Sequence, residues 1–205
     1  MKVLLLQGSP RKGGNSELLL KEMVKVFDQY GVESEIVEIG TKDIRGCISC
    51  GYCSSHEECV FKDEVNAFAK KFEEADGLVV ASPVYYASPN GTVLSFLDRL
   101  FMSSRFDKTM KVGASVVVAR RGGLSATYDA LNKYFGISGM PIATSQYWNS
   151  IHGAAPGEAE QDGEGLQTMR TLARNMIFLM KSIALGKEHF GLPEKEAWEK
   201  TNFVR

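Results

Sequence analysis

The 205-residue chain has no apolar run long enough to cross a membrane, since stretches such as 78–81 and 112–119 fall far short of the roughly 20 residues a helical span needs. It has almost no net charge either, with 24 basic residues against 25 acidic ones and a formal charge of −1. That balance argues against the basic surface that nucleic acids and anionic membranes select, and a small molecule suits it better as a partner. No signal peptide precedes the strand-like opening segment, so a cytoplasmic setting is expected. No internal repeat and no low-complexity linker divides the chain, and its length suits one domain over 1–205. Both common nucleotide signatures, GxxxxGK(S/T) and GxGxxG, are missing. Cysteine is absent except within 47–59, where Cys47, Cys50, Cys53 and Cys59 are gathered in the run GCISCGYCSSHEEC.

In a reducing compartment such a compact set points to metal binding or redox chemistry rather than a disulfide framework. Short, glycine-punctuated spacing lets thiolates converge, and three of them on a two-residue repeat match the local pattern of cubane iron-sulfur ferredoxins. Zinc also takes four thiolates, although structural zinc sites favour two separated pairs. Free thiols or a reversible disulfide form a third reading, and all three stay open at this level. Glu57 and Glu58 place negative charge beside Cys59, which lowers the potential expected of a cluster there. His56 lies in the same loop as an alternative ligand, with solvent exposure as its plainer reading.

Around that run, apolar periodicity alternates strand with helix. Strands are expected at 3–6, 35–39, 78–81 and 112–119, with a weaker fifth at 141–147. Helices are expected at 17–30, 63–74, from a cap at Ser88 or Asn90 to about 101, at 124–135, and at 163–185. In the first of these Leu19, Met23, Val26, Phe27 and Tyr30 fall on one face. Crossover helices must pack over a parallel sheet, so the pattern predicts an α/β flavodoxin-like three-layer sandwich with a five-stranded parallel sheet in the order 2-1-3-4-5. The cysteine run becomes an insertion at about 40–62, and a polar tail follows at about 187–205.

In such a sheet a ligand sits beyond the carboxyl ends of the strands, where strand order reverses. Two unusual loops meet there. GSPRKGGNS at 8–16 combines glycines that allow close backbone approach with Ser9, Arg11, Asn15 and Ser16 as donors at a helix N-terminus, the makings of a phosphate cradle. SPVYYASPN at 82–90 offers Pro83 as a rigid turn, Tyr85 and Tyr86 as aromatic faces for a planar ring, and Ser88 as a polar group. A third loop, ARRGG at 119–123, could close the site with Arg120 or Arg121 and with Gly122 and Gly123. The long unpatterned segment 149–162, which contains His152, suits a lid or an oligomer contact.

These loops, together with FLDRL at 96–100, resemble those of NAD(P)H-dependent FMN reductases and related flavodoxin-fold proteins, and the likeness spans most of the chain. The cysteine motif after the second strand is similar to that of the iron-sulfur flavoproteins, in which such cysteines hold a [4Fe-4S] cluster near FMN. The resemblance implies that Ser9, Arg11, Asn15 and Ser16 hold the FMN phosphate. It also implies that Pro83, Tyr85, Tyr86 and Ser88 border the isoalloxazine, with Arg120, Gly122 and Gly123 on its other side, and that Cys47, Cys50, Cys53 and Cys59 ligate iron. NAD(P)H is the implied co-substrate, and a ferredoxin-like protein is an alternative donor. Electrons then pass to a quinone or another small acceptor. Hydride transfer to a flavin needs no protein nucleophile, so no catalytic acid or base is assigned.

A non-enzymatic electron carrier is the first alternative, weakened by the lack of an acidic docking face. A cysteine-based zinc or redox-sensing module is the second. Covering a flavin at the sheet edge favours a homodimer or homotetramer.

Overall fold

The structure, a computed structural model, describes residues 1–197 together with Glu199, Thr201 and Phe203. Its elements run β1 (Lys2–Gln7), α1 (Asn15–Gln29), β2 (Glu33–Glu38), α2 (Cys53–His56), α3 (Glu64–Glu74), β3 (Gly77–Tyr85) and β4 (Ser88–Pro89). Then follow α4 (Gly91–Ser103), β5 (Val112–Ala119), α5 (Leu124–Ile137), β6 (Ser150–His152) and α6 (Gly163–Phe190).

The parallel strands lie in the order β2-β1-β3-β5-β6, which is the expected 2-1-3-4-5 once the short β4 is set aside as an antiparallel arm on the end of β3. Alternation along the strands builds two apolar layers. Val3 and Leu5 of β1 join α1 and α6 on one face, while Leu4 and Leu6 join α3, α4 and α5 on the other. β2 lies at the sheet edge and its inner residues are half-buried, as its acid–aliphatic alternation predicts. Asp63 caps α3 by accepting from the Val65 amide at 3.2 Å, and Asn90 caps α4 by accepting from Thr92 at 2.7 Å. Among the described residues no helix is long and apolar enough to cross a membrane.

Several boundaries differ from the sequence expectation. The fifth parallel strand is Ser150–His152 rather than 141–147, where only an isolated bridge joins Gly113 to Ile142. The chain leaves β5 there because Asn149 turns back, accepting from Ser145 Oγ at 2.7 Å and donating to the Ala143 carbonyl at 3.4 Å. β3 runs on through Pro83 to Tyr85, since its last residues pair with β5 and with β4. Tyr30 ends α1 as its C-cap and stands half-exposed instead of on the apolar face. α6 continues to Phe190, so the first residues of the expected tail are helical. Trp198, Lys200, Asn202, Val204 and Arg205 of that tail lie outside the described residues.

Candidate functional site

The loop after β1 and the carboxyl ends of β3 and β5 enclose a cavity of about 280 Å³. Ser9, Arg11, Asn15, Ser16, Pro83, Tyr85 and Arg120 all line it. Tyr86, Ser88, Gly122 and Gly123 do not. Val84, Val118, Ala119, Gly153 and Ala154 complete the wall. The first three of these belong to apolar strand ends that carry no sequence signal of their own. Gly153 and Ala154 come from the segment flagged only for its length.

Close backbone approach shapes this pocket. A Cβ on Gly8 would lie 2.1 Å from Val93 Cγ2, and one on Gly40 would lie 2.1 Å from the Ser9 carbonyl oxygen, so both glycines let neighbouring elements press on the loop. α1 starts behind Gly14, which supplies no side-chain cap, and its first-turn amides lack that acceptor. Segment 153–159 folds over the same loop. Arg11 donates to the Ala154 carbonyl at 2.8 Å and Asn15 Nδ2 to the Ala155 carbonyl at 3.0 Å, while the Ala159 amide donates to Asn15 Oδ1 at 3.3 Å. The Ala154 and Ala155 amides in turn donate to Glu158, at 2.7 and 3.0 Å, which holds its carboxyl below the ordinary range. Asp162 secures the far end of the segment by accepting from the His152 and Gly165 amides at 2.7 and 2.9 Å.

The β3–β4 hairpin turns at Tyr86 and Ala87, both left-handed at φ 52° and 57°. Its tip therefore carries Tyr86 out into solvent, fully exposed, and pairs Ser88 with Tyr85 across the hairpin. Gly123, at φ 88°, is the N-cap of α5 and packs against this turn, since a Cβ there would lie 2.8 Å from Ala87 Cα. Its place is behind the hairpin and not in the cavity wall.

The four cysteines line a second cavity, of about 220 Å³, against α4. All are free thiols, with Cys47 and Cys50 exposed and Cys53 and Cys59 partly covered. Left-handed Ser49, Gly51 and Glu57 curl the loop, and the Ser49 amide donates to Cys47 Sγ at 3.4 Å. Arg105 Nε donates to the Cys53 carbonyl at 3.2 Å. Arg99 Nε donates to Cys59 Sγ at 3.2 Å, and its two terminal nitrogens grip Asp63 at 2.7 and 2.8 Å. Burial opposes that charge, yet Asp63 and Cys59 hold the guanidinium above its ordinary pKa. Glu58 pairs with Lys62, which offsets one of the two negative charges expected beside Cys59, and the Arg99 guanidinium touches the sulfur. His56 stacks on Tyr52 with ring centroids 3.8 Å apart and is absent from the cavity wall. The two cavities share no lining residue.

Among the described residues no group of three or more His, Cys, Asp or Glu side chains is placed to hold a single metal ion. The four cysteines line one shared cavity, a soft donor set of the kind that iron-sulfur clusters and zinc both take. In the first cavity, hydroxyls, an amide and a guanidinium beside Pro83, Val84, Tyr85 and Val118 fit a molecule that joins an anionic group to a flat apolar ring. The family model described as NADPH-dependent FMN reductase matches residues 1–155. An iron-sulfur flavoprotein of Methanocaldococcus jannaschii is 32% identical over 191 residues, covering 89% of this chain and 99% of that protein. The chain belongs to the iron-sulfur flavoproteins of the NADPH-dependent FMN reductase family. It is an FMN-dependent oxidoreductase. An iron-sulfur flavoprotein of Methanosarcina thermophila is 29% identical, covering 92% of this chain and 100% of that protein. Among solved structures, RosB with bound 8-demethyl-8-formylriboflavin-5'-phosphate matches with a TM-score of 0.69 at 17% identity, over 100% of this chain and 94% of that one, a likeness of fold.

Proposed function

We propose that the chain holds FMN in the cavity at the carboxyl ends of β1, β3 and β5, accepts electrons from NAD(P)H or a ferredoxin-like protein, and delivers them to a quinone or another small acceptor. Bound there, FMN supplies both two-electron and one-electron chemistry. Ser9, Arg11, Asn15 and Ser16 hold its phosphate, helped by the first-turn amides of α1. Pro83, Tyr85 and Arg120 border its ring, and segment 153–159 limits water entry. Ser88 and Gly123 support the ring side through the hairpin and its packing, whereas Tyr86 and Gly122 stand in solvent. The observation that carries this reading is the convergence of donors from the β1–α1 loop with β3 and β5 residues around one cavity at the point where strand order reverses.

Cys47, Cys50, Cys53 and Cys59 hold a [4Fe-4S] cluster in the second cavity, where four thiols share one wall set. Along α4, which rises 1.5 Å per residue, Arg99 and Ser103 lie roughly 12 and 18 Å beyond Gly91 at the flavin end. Free thiols suit a cytoplasmic setting, and the exposed Tyr86, Tyr147 and Trp148 suit burial in a homodimer or homotetramer. One sheet carrying both helical layers supports a single domain.

The test is anaerobic purification followed by absorption spectroscopy, iron and sulfide analysis, and steady-state NAD(P)H oxidation. FMN bound near one per chain, with turnover toward a quinone, is expected. Arg11→Ala should weaken FMN binding about tenfold, as loss of one charge-assisted hydrogen bond predicts. A wild-type apoprotein that fails to quench FMN fluorescence removes the flavin assignment for this cavity.

A further inference from the structure

Two residues of α4 that the first cavity does not use line the cysteine cavity. Arg99 and Ser103 stand one helical turn apart, at i and i+4, so they share a face of the helix. Both are buried, at 1% and 2% exposure, and both line the cavity. Arg99 is anchored through Asp63 with its Nε–H directed at Cys59 Sγ. Among the described residues Ser103 Oγ is buried with no hydrogen-bond partner. Its neighbour Ser104 shows the usual alternative, folding its hydroxyl onto the Leu100 carbonyl at 2.6 Å. Leaving a buried hydroxyl unpaired costs about 1–3 kcal/mol, and because Ser103 lines the cavity, a turn of its hydroxyl toward an acceptor seated there would relieve that cost.

We propose that Arg99 and Ser103 form a donor face that raises the reduction potential of the group held by the four cysteines, with Arg99 acting on Cys59 and Ser103 acting on a cluster or ligand sulfur. This rests on the cluster reading of the second cavity. Hydrogen bonds to sulfur withdraw electron density and stabilise the more negative, reduced form, so each donor makes reduction easier. The Ser49 amide on Cys47 Sγ works in the same sense. Both are positioning residues, because they act through the sulfurs.

The experiment uses the full chain reconstituted anaerobically with iron and sulfide, titrated with dithionite and followed by visible absorption and electron paramagnetic resonance. Ser103→Ala should lower the one-electron midpoint by the equivalent of about a tenfold change in the reduction equilibrium, 59 mV for one electron. Ser103→Thr restores the hydroxyl and should return the midpoint toward wild type. Arg99→Lys keeps the charge but loses the fork, and its midpoint should also fall. Apoprotein stability in urea should be unchanged or higher in Ser103→Ala, since that hydroxyl is buried without a partner among the described residues, so this variant carries the test even where Arg99→Lys fails to fold. Full iron and sulfide with unchanged midpoints in Ser103→Ala overturns the donor face and leaves the cluster standing. Wild-type protein that takes up no iron and sulfide overturns the cluster and the donor face together.

Discussion

Arg99 and Asp63 meet through two parallel hydrogen bonds, at 2.7 and 2.8 Å, beneath the cysteine loop. Asp63 is also the N-cap of α3, so one carboxylate ties α3 to α4 while the guanidinium it holds reaches Cys59.

Asp63→Ala therefore removes a cap and leaves a guanidinium that is 1% exposed without its counter-charge. Breaking a buried pair from one side costs about 3 kcal/mol or more. Urea unfolding of the apoprotein should show a loss of that size, and a loss under about 1 kcal/mol means the pair is screened by water.

Gly153→Ala places a Cβ 2.6 Å from Asn15 Nδ2 and 3.0 Å from the Ala159 amide. Segment 153–159 must then lift from the β1–α1 loop. FMN affinity should fall about tenfold or more, roughly 1.4 kcal/mol, with a smaller loss of global stability. Fluorescence titration of the apoprotein measures it, and wild-type affinity in this variant detaches the segment from the flavin site.

Ala87 and Gly123 should respond with opposite signs. Ala87 holds φ 57° with a Cβ, so Ala87→Gly should stabilise the apoprotein by about 0.5–1 kcal/mol. Gly123→Ala combines φ 88° with a Cβ 2.8 Å from Ala87 Cα and should destabilise by about 2 kcal/mol. Thermal unfolding of the two variants decides it, and shifts of the same sign count against a strained hairpin braced by Gly123.

Asp162 supplies the acid-dependent part of the loop's stability. Burial raises its pKa, but hydrogen bonds from the Gly165 and His152 amides outweigh that and leave it lowered. A carboxyl lowered in the folded state stabilises the fold above about pH 4, where the unfolded chain is already ionised, and that contribution vanishes as pH falls through the folded value. Asp162→Asn keeps one acceptor oxygen and loses the other, so it should cost about 1 kcal/mol at neutral pH and flatten the loss of stability on acidification. An unchanged slope below pH 4 assigns the acid sensitivity to other carboxyls.

Most of the fold was legible from periodicity, because strand alternation and helical stripes record burial directly. β5 was placed at its observed bounds, α3 was expected from 63 and starts one residue later with Asp63 as its cap, and of the two caps expected for α4, Ser88 or Asn90, the structure uses Asn90. β6 escaped because three residues carry too little pattern, and the more apolar 141–147 drew the assignment. At the first cavity, the polar residues of the β1–α1 loop that the sequence singles out do line the wall, since their chemistry is local, whereas Tyr86, Ser88, Gly122 and Gly123 do not. The contributions of Gly153, Ala154, Arg99 and Ser103 were hidden. Each acts across more than a hundred residues or across two elements, and nothing in a one-dimensional neighbourhood distinguishes an arginine that will be buried against a cysteine from one that will sit in water. The local chemistry of the cysteine run belongs to the sequence, whereas the guanidinium beside Cys59 depends on where α4 docks, because electrostatic contact requires a few ångströms of separation that only packing can set.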